Sequence, residues 1–222
     1  MFTRLSENFA GVLAPYFRLE ELEESRAIVF GLWPDFTLAY FNPAWQEFAE
    51  SNGGQQRVAT NWGVGARYLD AIPQPLRWFY ERFLTATPDA GTAQHPTSHV
   101  YECSSPTVFR KFSMQVYALS DRAGYIVMNS LVVEAPHDPL TRAPHKADLQ
   151  RYVDDRGVIT QCSHCRLTKY VGTQERWDWV PEWVAHSAPN TSHGLCATCF
   201  NYYYNASEAD YPMEQLSYGS CL

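Results

Sequence analysis

A chain of 222 residues, 45% hydrophobic and 15% aromatic, has enough apolar content to bury a core, as one large domain or two small ones, which excludes an intrinsically disordered polypeptide. No apolar run approaches the ~20 residues of a membrane span. Glu7, Asn8 and Arg18 interrupt any apolar stretch of a leader peptide, so a cytoplasmic protein with reduced thiols is expected. The formal net charge of −7 is unevenly spread: residues 1–150 carry 12 Lys/Arg against 16 Asp/Glu, residues 151–205 carry 5 of each, and residues 206–222 carry 3 acids and no base. Nucleic-acid modules present a basic face. Here only Arg166, Lys169 and Arg176 form a local patch, read as a solvated face.

Residues 2–16 place Phe2, Leu5, Phe9, Val12, Leu13 and Tyr16 at helical spacing, with Pro15 near the end. The spacing predicts an amphipathic helix whose stripe is covered either by the same chain or by a second copy. A homodimer through this helix is the expectation, and a fold-back across its own sheet the alternative. An acidic run, Glu20–Glu24, leads into the apolar strand 27–32. Trp33-Pro34-Asp35-Phe36 is a turn and 37–41 the returning strand, so 27–41 reads as a hairpin. Asn42-Pro43 supplies an N-cap and a first helical residue, starting a helix that carries Trp45, Phe48 and Ala49 inward. A Gly/Asn/Gln-rich loop covers 52–57, and 62–73 is irregular. A second helix from Pro75 presents Leu76, Phe79, Tyr80, Phe83 and Leu84 on one face. Strands over 97–103, 108–119 and 124–133 complete the order β-β-helices-β-β-β. That order predicts an α+β fold with a five-stranded antiparallel sheet and helices packed on one face. Cys103 reads as a buried core thiol, and His95 and His99 as surface or capping residues.

The Pro-rich stretch 135–150 reads as a linker. Beyond it stands Cys162-Ser-His-Cys165, then thirty residues, then Cys196-Ala-Thr-Cys199. Two paired CxxC knuckles can each turn two thiolates toward one point and complete a tetrahedron around zinc. Four sulfurs leave no open coordination position, so such a zinc is structural. Redox CxxC motifs or two disulfides are the alternatives, and a reduced compartment favours the metal. His164 and His193 flank the knuckles and read as outer residues rather than ligands. Gly157–Thr160 is a strand feeding the first knuckle, and a helix begins near Pro181. Trp177, Trp179 and Trp183 suit a small core that needs a metal to close, an aromatic binding platform being the sharper alternative. The tail from 206 is acidic, with Cys221 a free thiol.

The first half resembles a PAS domain, over about residues 25–134. The resemblance rests on the strand order, on Tyr40-Phe41-Asn42-Pro43-Ala44-Trp45 at the entry to the first helix, on Trp62-Gly63-Val64-Gly65 before Asp70, and on the Tyr101–Pro106 hairpin. It implies a sensory and interaction domain that can hold a small molecule between sheet and helices. No cysteine stands in 63–70 and no histidine in 75–85, so neither flavin nor haem is expected. The stretch 157–204 resembles a C-terminal module of bacterial PAS, GAF and response-regulator signalling proteins. It carries that pattern in Cys162–Arg166, Trp177/Trp179–Val184 and Ser192-His193-Gly194-Leu195-Cys196–Cys199.

The expected organisation is an N-terminal helix and acidic lead-in (1–24), a PAS-like sensor (25–134), a linker (135–150), a four-cysteine zinc module (151–205) and an acidic tail (206–222). No phosphate loop, nucleophile elbow or HExxH stands in the chain. The expected function is therefore non-enzymatic sensing through protein partners. A thiol-redox or zinc-responsive sensor and a zinc-dependent nucleic-acid regulator are the alternatives. Neither membrane nor nucleic acid is an expected partner.

Overall fold

The computed structural model describes residues 3–52, 62–87, 96–172 and 174–204. Phe2, most of the 52–57 loop, His95 and the acidic tail with Cys221 lie outside the described residues. The chain divides into two compact units, one of residues 1–72, 77–100 and 113–131, the other of residues 73–76, 101–112 and 132–222.

The sheet contains β1 (Ile28–Leu32), β2 (Leu38–Phe41), β3 (Thr97–Glu102), β4 (Val108–Ala118) and β5 (Tyr125–Pro136) in the order β2-β1-β5-β4-β3. It is a five-stranded antiparallel sheet, as the order of the elements predicts. The hairpin of β1 and β2 closes through Asp35, whose carboxylate accepts from the Thr37 backbone (3.0 Å) and hydroxyl (2.7 Å). Between β2 and β3 lie α3 (Pro43–Ser51), α4 (Tyr68–Ala71) and α5 (Gln74–Thr85). In the first unit, Phe79, Tyr80 and Phe83 are buried from α5, and Phe30 packs on Tyr68 with centroids 5.1 Å apart. His99 is buried against the Phe79 ring at 4.7 Å instead of capping a surface strand.

The N-terminal segment departs from the single helix predicted over 2–16. Helix α1 spans only Phe9–Leu13, and α2 spans Leu19–Glu24. Asn8 takes a left-handed backbone (φ 68°), which ends the helix on its N-terminal side. Residues before it are extended along β2: Leu5 bridges Tyr40, Ser6 N donates to Ala39 O (2.6 Å), and Phe41 N donates to Arg4 O (3.0 Å). The apolar stripe is covered by its own chain. Phe9 and Leu13 are buried with Val29, Tyr40 and Ile126, on the sheet face opposite Phe30 and Val127. Both faces of the sheet in this unit are therefore covered. Phe9 fits because Gly31 lies beneath it; a Cβ there would meet the ring at 2.4 Å.

Asn42 ties these pieces together. It is fully buried; its Oδ1 accepts from Val29 N (3.0 Å) and caps α3 through Trp45 N (3.1 Å). Its Nδ2 lies within bonding distance of the Leu22, Ser25 and Ala27 carbonyls at 3.1, 3.3 and 2.9 Å. Helix α3 starts where the Asn-Pro pair predicts.

In the second unit, β6 (Ile159–Cys162), β7 (Thr168–Lys169), β8 (Trp177–Asp178) and β9 (Thr191–Gly194) form a sheet of order β8-β7-β6-β9, with β6 and β9 parallel. Helices α6 (Leu149–Tyr152), α7 (Pro181–Ala185) and α8 (Ala197–Tyr204) complete it. Trp179 and Trp183 are buried, the latter with Tyr152, Ile159 and Val180, which makes these tryptophans core rather than an exposed platform. The stretch read from composition as a linker is bonded into this unit. His145 N donates to Trp179 O (2.8 Å), and Arg142 forms two 2.6 Å hydrogen bonds with the Glu102 carboxylate. Cys103, expected as a core thiol, instead follows the last residue of β3 and is exposed. Among the described residues, no helix is long and apolar enough to cross a membrane.

Candidate metal centre

The first knuckle forms where β6 ends. Cys162 is its last residue, and Cys162 N donates to Leu167 O (2.8 Å), so the chain must reverse within Ser163–Arg166. Arg166 makes the reversal with a left-handed backbone (φ 63°) and donates its N–H to Cys162 O (3.2 Å). The second knuckle forms where β9 ends and α8 begins. Cys196 precedes the helix and Cys199 lies in its first turn, with Phe200 N bonded to Cys196 O (2.8 Å). Parallel pairing of β6 with β9 sets Cys162 opposite Gly194, and Ser163 N donates to Gly194 O (2.8 Å). Thus two knuckles remote in sequence are brought to one point by a single strand pair.

The structure brings Cys162, Cys165, Cys196 and Cys199 together. All four are buried, and their sulfurs lie within 4.8 Å of one another. The Cys165 and Cys196 sulfurs are 3.7 Å apart. A disulfide needs ~2.05 Å, and all four cysteines are free. A tetrahedral ion with ligands at ~2.3 Å sets its sulfurs ~3.8 Å apart. The donor set therefore fits one metal ion held by four thiolates.

Electrostatics point the same way. Hydrogen bonds from Cys165, Cys196 and Cys199 push the Cys162 thiol far down. Hydrogen bonding to Cys162, with burial, pushes Cys165 and Cys199 up. Thiolates crowded into one buried site repel each other, so some of the cysteines keep their protons until a cation displaces those protons and neutralises the negative charge. Cys196 N donates to the Cys162 sulfur (3.5 Å) at the start of α8, whose dipole also favours negative charge. The half-buried Arg166 adds positive charge that interacts with the Cys103 and Cys162 sulfurs.

No protein-family model matches the chain, and no curated protein matches it.

Neither flanking histidine joins the sulfur cluster. His164 Nδ1 is hydrogen-bonded to the Tyr203 hydroxyl (2.6 Å), and burial pushes its pKa down, which favours the neutral ring. Tyr203 is itself buried one helical turn after Cys199, so this bond fixes the first knuckle against α8. Phe200 and Tyr202–Tyr204, which the sequence places after the last cysteine to pack back on the module, divide: Tyr203 is buried, whereas Phe200, Tyr202 and Tyr204 are exposed. His193 is exposed. Arg166, Lys169 and Arg176, read as a solvated face, do not all stay in solvent: Lys169 is exposed, whereas Arg166 and Arg176 are half-buried. Arg166 lies in the first knuckle turn, while Arg176 lies 2.8 Å from the buried Asp178 carboxylate and over the Tyr170 ring at 4.2 Å.

Proposed function

We propose that this chain is a non-enzymatic sensing and interaction protein, in which a PAS-type domain is coupled to a structural zinc module. The observation that carries this reading is the closed set of four buried sulfurs within 4.8 Å. Zinc suits it because soft thiolates select zinc over harder cations, and tetrahedral S₄ is a geometry zinc favours. Iron bound as a single ion shares that geometry, so the metal must be measured. With four protein ligands the ion has no position for water or substrate, which makes its role structural. Cys162, Cys165, Cys196 and Cys199 would hold it.

The PAS reading is supported by the sheet connectivity, with helices α3, α4 and α5 among the described residues between β2 and β3, and by Asn42 at the strand-to-helix junction. It carries the expectation of a protein partner and of a small molecule as signal. The test is elemental analysis of the purified full chain and of Cys196→Ser. The proposal expects one equivalent of zinc in the wild type and a large loss in the variant. Less than half an equivalent in the wild type, or iron in its place, would overturn the zinc assignment.

A further inference from the structure

Arg142 is held by a buried clamp that the metal module completes. Its guanidinium donates to both Glu102 oxygens at 2.6 Å, and the two side chains are 12% and 8% exposed. Its plane is flanked by two rings, Trp179 at 4.9 Å and Phe109 at 5.4 Å. His137 lies against Trp179 with ring centroids 4.5 Å apart, and its Nε2 is 2.8 Å from Ser105 O. Glu102, Ser105 and Phe109 belong to the end of β3, the turn that follows and the start of β4. Trp179 stands between the two cysteine knuckles, directly after β8. All of these residues lie in the second unit.

From this arrangement we propose that metal occupancy controls the order of the β3–β4 turn, with Arg142 as the coupling residue. The inference rests on the metal reading above. The sulfur centre fixes the end of β6, β6 pairs β7, and β7 pairs β8 through Thr168 with Asp178 and Lys169 with Trp177. Loss of the ion releases this small sheet, since a module of this size draws its folding free energy from its metal. Trp179 then leaves the clamp. Water reaches the Arg142–Glu102 pair, the pair weakens as the local dielectric rises, and the turn loses its anchor. Binding linkage makes the effect reciprocal: what loosens the turn must weaken the metal by the same factor. Strands β3 and β4 run on from this turn into the first unit at residues 100 and 113, which gives metal loss a covalent route into the proposed sensor domain.

Hydrogen exchange of the full chain, with and without a chelator, tests the proposal. Two backbone bonds report on the turn: Cys103 N to Arg110 O (3.0 Å) and Ser105 N to Val108 O (2.9 Å). In the wild type, chelation should speed exchange across 101–112 at least about tenfold, together with 157–204. In Arg142→Met, exchange of 101–112 should already be fast with metal bound and stay unchanged on chelation, with metal affinity about tenfold weaker. Because Arg142→Met strands the buried Glu102 charge, Arg142→Met/Glu102→Gln removes both charges and should show the same uncoupling in a folded chain. Cobalt(II) loading reports the metal separately through its thiolate charge-transfer band. A wild-type band with no change in 101–112 on chelation overturns the coupling alone, as does a double variant whose turn still responds. No band in the wild type overturns the metal reading and the coupling with it.

Discussion

Asn42→Asp is the most searching single change in the first unit. The variant is nearly isosteric and keeps Oδ1, which accepts from Val29 N (3.0 Å) and Trp45 N (3.1 Å). It replaces the amide donor with an oxygen facing the Leu22, Ser25 and Ala27 carbonyls at 2.9–3.3 Å. The Leu22 carbonyl keeps its bond from Ser25 N (3.3 Å), but all three carbonyls lose the amide donor in a site that is 0% exposed, and the new oxygen repels them. A buried polar group left unpaired costs about 1–3 kcal/mol; with a carboxyl forced among carbonyls, a loss of about 4 kcal/mol follows. Asn42→Ala removes the N-cap as well, about 1 kcal/mol, but leaves space for water, so it should lose somewhat less than Asn42→Asp. Native-state hydrogen exchange of the Phe30–Leu32 amides reads the effect directly. At 1.4 kcal/mol per decade, about 4 kcal/mol is nearly a thousandfold loss of protection. A loss below fivefold in Asn42→Asp would refute the reasoning, because it would mean that the two amide N–H groups do not donate into this set of carbonyls.

Three further outcomes follow from the packing. Gly31→Ala should cost about 1–3 kcal/mol, because the added Cβ meets the fully buried Phe9 ring at 2.4 Å; in Gly31→Ala/Phe9→Ala the penalties should be clearly less than additive in urea unfolding, and strict additivity would count against the contact. Removing residues 1–18 should destabilise the first unit rather than yield a well-folded monomer, since Phe9 and Leu13 cover its sheet; light scattering and exchange on the shortened chain check this, and an equally protected sheet contradicts it. Tyr203→Phe should lower the temperature at which the second unit unfolds by a few degrees without changing metal stoichiometry, as expected for loss of one hydrogen bond of about 1 kcal/mol to His164.

The sulfur site was legible in the sequence because each CxxC is a local turn with fixed geometry, and only the meeting of the two knuckles needs tertiary structure. Asn42 was equally legible as a helix start, since Asn-Pro carries its own N-cap chemistry. Its three carbonyl contacts were not, because Leu22, Ser25 and Ala27 lie 15–20 residues away. The spacing of Leu5, Phe9 and Val12 is helical, yet Leu5 is extended along β2; an edge strand offering backbone partners outweighed a weak local propensity. Composition marked 135–150 as a linker, because Pro and polar residues dominate it. The contact that orders it pairs Arg142 with a carboxylate 40 residues earlier, which no local pattern reveals. Arg166 looked like surface charge because arginine is usually solvated, although the local knuckle turn that bonds its N–H to Cys162 O leaves it half-buried.

X-ray absorption at the metal edge of the purified full chain tests the central claim most directly. A zinc edge with four sulfur scatterers at ~2.3 Å and no nitrogen or oxygen in the first shell is the predicted result. A shell containing nitrogen would bring His164 or His193 into the site, and a shell containing oxygen would open it to water; either would contradict a closed, structural four-cysteine centre.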